Sequence, residues 1–116
     1  MPIYSTKEAI ERFCVTTSKH AEATETGEYK VANAAYSQLI EALKWLNNNQ
    51  EVQILHPLLT SPNVGTRLWT ASYLLLSGDS LAETVLVEIV SLNSIHGFNA
   101  ATTLREWRAG GLKPFV

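Results

Sequence analysis

The chain is short of sulfur, of charge and of long apolar runs. One cysteine, Cys14, leaves no internal disulfide to form and fits a reducing compartment. Cys14 stands beside Phe13 in an amphipathic stretch, where a thiol is expected to be packed away and inert. Charged residues make up only 17% of the chain, below the usual quarter. The surface must therefore carry uncharged polar residues or apolar ones. The nine Lys and Arg are dispersed among eleven Asp and Glu. No basic cluster offers the footprint that a phosphate backbone selects, so nucleic acid is not an expected partner. The opening MPIYSTKEAIE lacks the basic stretch and apolar core of a signal peptide. The longest apolar runs, such as Tyr73-Leu74-Leu75-Leu76, are too short to cross a bilayer. The expectation is a soluble cytoplasmic protein with no membrane partner.

What is present points to helices. The 116 residues suit one domain, and 46% hydrophobic content is enough for a core without metal or disulfide. Ser5 and Glu8 form an S-x-x-E capping pattern. The helix after it should run to about Ala23, with Ala9, Ile10, Phe13, Cys14, Thr17 and Ala21 as its apolar stripe. Thr24-Glu25-Thr26-Gly27 reads as a turn. A second helix is expected from Glu28 to Leu46, its inner face made of Val31, Ala35, Leu39, Ala42, Leu43 and Leu46. Asn47-Asn48-Asn49 should end it through local side-chain hydrogen bonds. The two make an antiparallel hairpin.

A further helix is expected around Ile54, Leu55, Leu58 and Leu59, starting just before Pro57 because first-turn amides need no intrahelical acceptor. Pro62 limits it. Asn63 can cap the next, Val64 to about Leu76, which buries Val64, Leu68, Ala71, Leu74 and Leu75. After the Gly78-Asp79 turn, Ser80 and Glu83 repeat the capping pattern, and Leu81, Val85, Ile89 and Leu92 carry the stripe. A last helix is expected from Phe98 to Ala109, anchored by Leu104 and Trp107 and ended by Gly110-Gly111. His96 falls in the loop before it. The tail Leu112–Val116 is apolar enough to fold back. The predicted architecture is all-α, with short antiparallel helix hairpins stacked as a HEAT-like partial solenoid in a single domain, residues 1–116.

The stretch Leu58-Leu59-Thr60-Ser61-Pro62-Asn63-Val64-Gly65-Thr66-Arg67-Leu68-Trp69-Thr70-Ala71 resembles the turn of a HEAT-type repeat. A helix ends in a Leu pair, a polar turn follows, then Val, then Arg three residues on, then Ala. Pro62 and Asn63 stop one helix and cap the next. Arg67 is positioned to bond carbonyls or a carboxylate of a neighbouring turn. Residues 8 to 114 together resemble a small bacterial family catalogued as domain of unknown function 2019. The resemblance rests on Gly27-x-Tyr29 with Asn33 downstream, on the Leu58–Ala71 stretch, and on the ending Ala101-x-x-Leu104-Arg105-Glu106-Trp107-Arg108-x-Gly110-x-Leu112-Lys113. It implies a helical-repeat-like fold and brings no catalytic residues. Gly65 and Trp69 depart from the family's pattern.

No motif carries chemistry. The three histidines, His20, His56 and His96, lack H-x-x-x-H spacing, and no metal or cofactor is expected. Phosphate-cradling glycine loops and the nucleophile elbow G-x-S-x-G are absent. Ser77-Gly78-Asp79-Ser80 reads as a capped turn. His96, Arg105, Glu106 and Trp107 are the one cluster that a small enzyme or ligand-binding pocket between hairpins could use. The favoured expectation is a non-enzymatic protein-binding module. Its specific version is an immunity protein that neutralises a toxin domain, motivated by small size, the net charge of −2 and the lack of catalytic motifs. A structural, oligomer-forming adaptor is the third reading. Tyr29, Tyr36, Trp45 and Trp69 are the expected aromatic anchors, each at a helix end or off the stripe. Glu25 and Glu28 are the expected steering charges. Arg67, Pro62, Asn63 and Trp107 are read as structural.

Overall fold

A computed structural model describes residues 2–115. It contains five α-helices and one 3₁₀ segment, with no strand among the described residues. The all-helical prediction holds. The helices group into two compact units, one ending at Leu55 and the other comprising His56–Phe115.

The first unit is a helix hairpin. Helix α1, Thr6–Thr26, starts at Ser5, whose Oγ accepts from the Glu8 amide. Glu8 does not close the expected reciprocal box onto Ser5. Its Oε2 accepts instead from the Tyr4 amide at 3.0 Å. The helix runs past Ala23, so the expected turn at Thr24–Thr26 is corrected. The Thr24 hydroxyl donates back to the His20 carbonyl, and the Thr26 hydroxyl is shared between the Ala23 carbonyl and Glu28 Oε1, so both residues stay helical. The stop comes at Gly27, at φ 76°, with the Glu28 amide bonded to the Ala23 carbonyl. Only glycine takes that left-handed turn without strain.

Helix α2, Tyr29–Asn48, packs back along α1. Its buried side is Ala32, Ala35, Leu39, Ala42, Leu43 and Leu46. Val31, expected inside, is 36% exposed, and Ala32 takes its place. The Asn run ends the helix two residues later than expected, at Asn48. Asn49 donates from Nδ2 to the Trp45 carbonyl, and Gln50 adopts φ 57°. Glu51 then returns to the start of α1, accepting a hydrogen bond from Thr6 Oγ1.

The Pro57 stretch is 3₁₀, Val52–Thr60, rather than α. Pro57 lies inside it with no amide to donate. Leu55 and Leu59 are buried and Ile54 is exposed. In the second unit, α3, Val64–Leu75, is capped by Asn63 Oδ1 on the Thr66 amide at 3.0 Å. It is buried on nearly every side, Thr66, Thr70 and Ser72 included, while Val64 is only half-buried. Helix α4, Ser80–Val90, is capped by Asp79, not Ser80: Asp79 Oδ1 accepts from the Leu81 amide. Its core face is Ala82, Val85, Leu86 and Ile89. Leu81 and Leu92, expected on that face, are exposed.

Helix α5, Ile95–Arg108, begins three residues earlier than predicted, at the Ser94 cap. His96 is therefore in its first turn and 4% exposed, not in a loop. The early start depends on Gly97, where a β-carbon would lie 3.0 Å from the carbonyl oxygens of Ile89 and Val90. Helix α5 packs against α4 and, less extensively, α3. Leu104 is buried and Trp107 half-buried. The tail returns as expected as far as Phe115, which meets Trp69 edge-on at 5.6 Å and stacks on Tyr73 at 6.2 Å between ring centroids. Val116 lies outside the described residues.

Candidate functional site

The surface feature with most to offer a partner is a groove along the seam of α1 and α2. Residues 8, 11, 12, 15 and 19 recur at three- and four-residue spacing, so they share one flank of α1. This flank is beside the buried stripe rather than opposite it. From α2, Gln38 and Glu41 complete the wall. The hollow measures about 710 Å³ and is lined by Tyr4, Glu8, Glu11, Arg12, Val15 and Glu41 among others. Gln38 also lines a second hollow of about 300 Å³, with Lys19, Lys30 and Val31, so the seam continues toward the Gly27 turn.

Two properties set this groove apart. It exposes large apolar groups: Tyr4 is 77% exposed and Val15 65%. Such residues are ordinary singly, but together on a concave wall they mark a contact surface. The wall is also acidic, with Glu8, Glu11 and Glu41 against Arg12. Arg12 is already engaged, its guanidinium 3.5 Å from Glu41 Oε2. Within this hollow the charge left over is that of Glu8 and Glu11, while Lys19 and Lys30 stand in the adjoining one.

The expected anchors do not share this surface. Tyr29 and Tyr36 are exposed and seven residues apart, hence on one side of α2. Tyr36 is tilted against His20 at 6.5 Å between ring centroids. Trp45 is half-buried and lies nine residues beyond Tyr36. Nine residues are about two and a half turns, so the two rings leave α2 in opposite directions. One interface on α2 cannot use both. Trp69 packs on Phe115 in the other unit. Glu25 and Glu28 are exposed at the hairpin turn, where Glu28 Oε1 accepts from Thr26 Oγ1. Tyr4 and Val15 were missed. Val15 interrupts a polar flank at the spacing of that flank, and that signal is legible in sequence.

Asn63 caps α3, and exposed Pro62 precedes it. Arg67 Nη1 donates to the Ser61 carbonyl at 2.7 Å, bracing the turn from one helical turn inside α3. The His96, Arg105, Glu106 and Trp107 cluster does not converge. His96 is in the first turn of α5 and the others in the last, separated by roughly 14–17 Å of helix. Arg108 pairs with Glu83 of α4 at 3.2 Å. Among the described residues no group of three His, Cys, Asp or Glu side chains could hold a metal ion. Burial pushes the Cys14 thiol above its ordinary range, the direction that suppresses reactive thiolate. No described helix is long and apolar enough to cross a membrane. Scans against family models, curated proteins and solved structures gave no match.

Proposed function

We propose that this chain is a protein-binding helical module whose contact surface is the α1–α2 groove. The partner presents a basic surface with apolar residues between its charges. The observation that carries the reading is the joining of exposed Tyr4 and Val15 to three carboxylates and one engaged guanidinium in a single hollow. Carboxylates accelerate encounter with a basic partner, and apolar and aromatic groups then supply the lasting contact. No step requires catalysis, a metal or a cofactor.

In its specific form the proposal is an immunity protein acting in the cytoplasm on a toxin domain. Toxins that attack nucleic acids carry basic surfaces for the same electrostatic reason, and a small acidic helical protein complements them. The proposal also takes in the HEAT-like partial solenoid and the bacterial family numbered 2019. The Asn63 cap and the Arg67 bond to Ser61 support that part.

The test is affinity capture from the native host by the wild-type chain and by Val15→Asp and Glu11→Lys variants. Both substitutions fall on exposed positions, so thermal melting should be unchanged. The proposal expects a basic protein retained by the wild type, lost from Val15→Asp, and retained in reduced amount by Glu11→Lys at low salt. Equal retention by all three would remove the groove from the account.

A further inference from the structure

We propose that the second unit carries its own docking groove, between α4 and α5, for an acidic amphipathic helix. The inference is independent of the α1–α2 reading, because it rests on other residues. The hollow measures about 650 Å³ and is lined by Val87, Val90, Ala101, Leu104, Arg105 and Arg108, with Ala109 at its end. Apart from the two arginines every lining residue is apolar, and none is a carboxylate.

The register fixes the shape. Phe98, Ala101, Arg105 and Arg108 are spaced three, four and three residues apart, so they form one stripe of α5. Glu83, Val87 and Val90 form the facing stripe of α4 by the same spacing. The stripe on α5 spans ten residues, or about 15 Å, the length of some three turns of a bound helix. Phe98, 70% exposed, marks one end of the stripe, and the guanidiniums mark the other. Val87 is 48% exposed, so the floor is open to solvent.

Charge complementarity selects the occupant. A helix laid in such a groove needs apolar residues at three- and four-residue spacing. Facing Arg105 and Arg108 it needs carboxylates, which guanidinium forks bind in bidentate fashion. A basic helix would meet like charge at that end. Glu83 tempers the site. It holds Arg108 in an ion pair whose two side chains are 57% and 42% exposed, a pair worth little in itself and readily exchanged.

The test uses two synthetic helical peptides with the same apolar stripe, one ending in paired Glu and the other in paired Lys. They are titrated into isotopically labelled full-length protein. The acidic peptide should saturate with amide shifts confined to α4 and α5, and the Lys peptide should bind at least about tenfold more weakly. Arg105→Glu together with Arg108→Glu should reverse that preference. Glu83→Gln, which releases Arg108, should tighten the acidic peptide several-fold, a gain that misfolding cannot produce. Equal binding of the two peptides, no saturable shift, or shifts mapping to α1 and α2 would each overturn the proposal. So would weaker acidic-peptide binding by Glu83→Gln.

Discussion

Single side chains decide how tightly the second unit is set. Arg67 reaches back over Pro62 and Asn63 to the Ser61 carbonyl, a bond from a charged donor in a half-buried place. Arg67→Ala should cost about 1.5–3 kcal/mol, read as a lower denaturation midpoint with an unchanged slope. Thr70 carries the opposite sign. Its Oγ1 is buried without a hydrogen-bond partner among the described residues. Thr70→Val keeps the shape and removes the orphan, so chemical denaturation should show a gain of about 1 kcal/mol. Cys14 gives a pH signature. Burial raises its pKa, so between the unfolded and folded values the native state keeps a proton that the unfolded state has lost. Its contribution to stability is complete below the unfolded pKa and is lost as pH rises through the folded one. Alkylation of Cys14 in native protein at mildly alkaline pH should be several-fold slower than in urea. A rate equal to that of the unfolded chain would contradict the shielding of this half-buried thiol.

Helices were legible where period and cap agreed, and less so where two residues competed for one job. Asn63 and Ser5 cap as read, because each stands directly before a periodic run. At α4 the neighbours Asp79 and Ser80 both qualify. The carboxylate wins because it serves two partners: Oδ1 takes the Leu81 amide and Oδ2 takes His56 Nδ1 at 2.5 Å. Asp79→Ala should therefore lose about 1–2 kcal/mol and Ser80→Ala almost nothing, as measured by paired thermal melts. Threonine favours turns on average, yet at the end of α1 Thr24 satisfies its hydroxyl on the helix itself and Thr26 shares its own between the helix and Glu28. His96 was misread because Gly97 looks like a loop residue. Its missing β-carbon is instead what lets α5 approach the Ile89 and Val90 carbonyls. That contact is tertiary, and no local pattern announces it.

Across the whole chain, the low charge content has a visible consequence. Apolar side chains occupy surface positions in both units, from Tyr4 and Val15 to Val87 and Phe98. The sequence announced the shortage but not the places. The charge count is lopsided: twelve of the charged residues precede Val52 and only four lie between 52 and 104. The acidic α1–α2 groove belongs to the rich part; the apolar wall of the α4–α5 groove, Val87 to Leu104, belongs to the poor part, and its two arginines come from the charged ending that follows. The aromatic anchors expected from sequence were scattered because helix-end position alone does not say which side of a helix a ring leaves. Tyr36 and Trp45 show the point, since both fit the sequence criterion and they face apart.

The central claim is that the α1–α2 groove binds a basic protein through carboxylates and apolar groups acting at different stages. Its most direct test is stopped-flow association of the captured partner with wild type, Glu11→Lys and Val15→Asp at low and high salt. Glu11→Lys should slow association several-fold at low salt and little at high salt, because exposed charges are screened beyond about 10 Å at 0.1 M. Val15→Asp should speed dissociation at both salt concentrations, weakening the complex by about 2 kcal/mol if Val15 is a central contact. Unchanged association and dissociation rates for both folded variants would contradict the claim and move the binding surface off this groove.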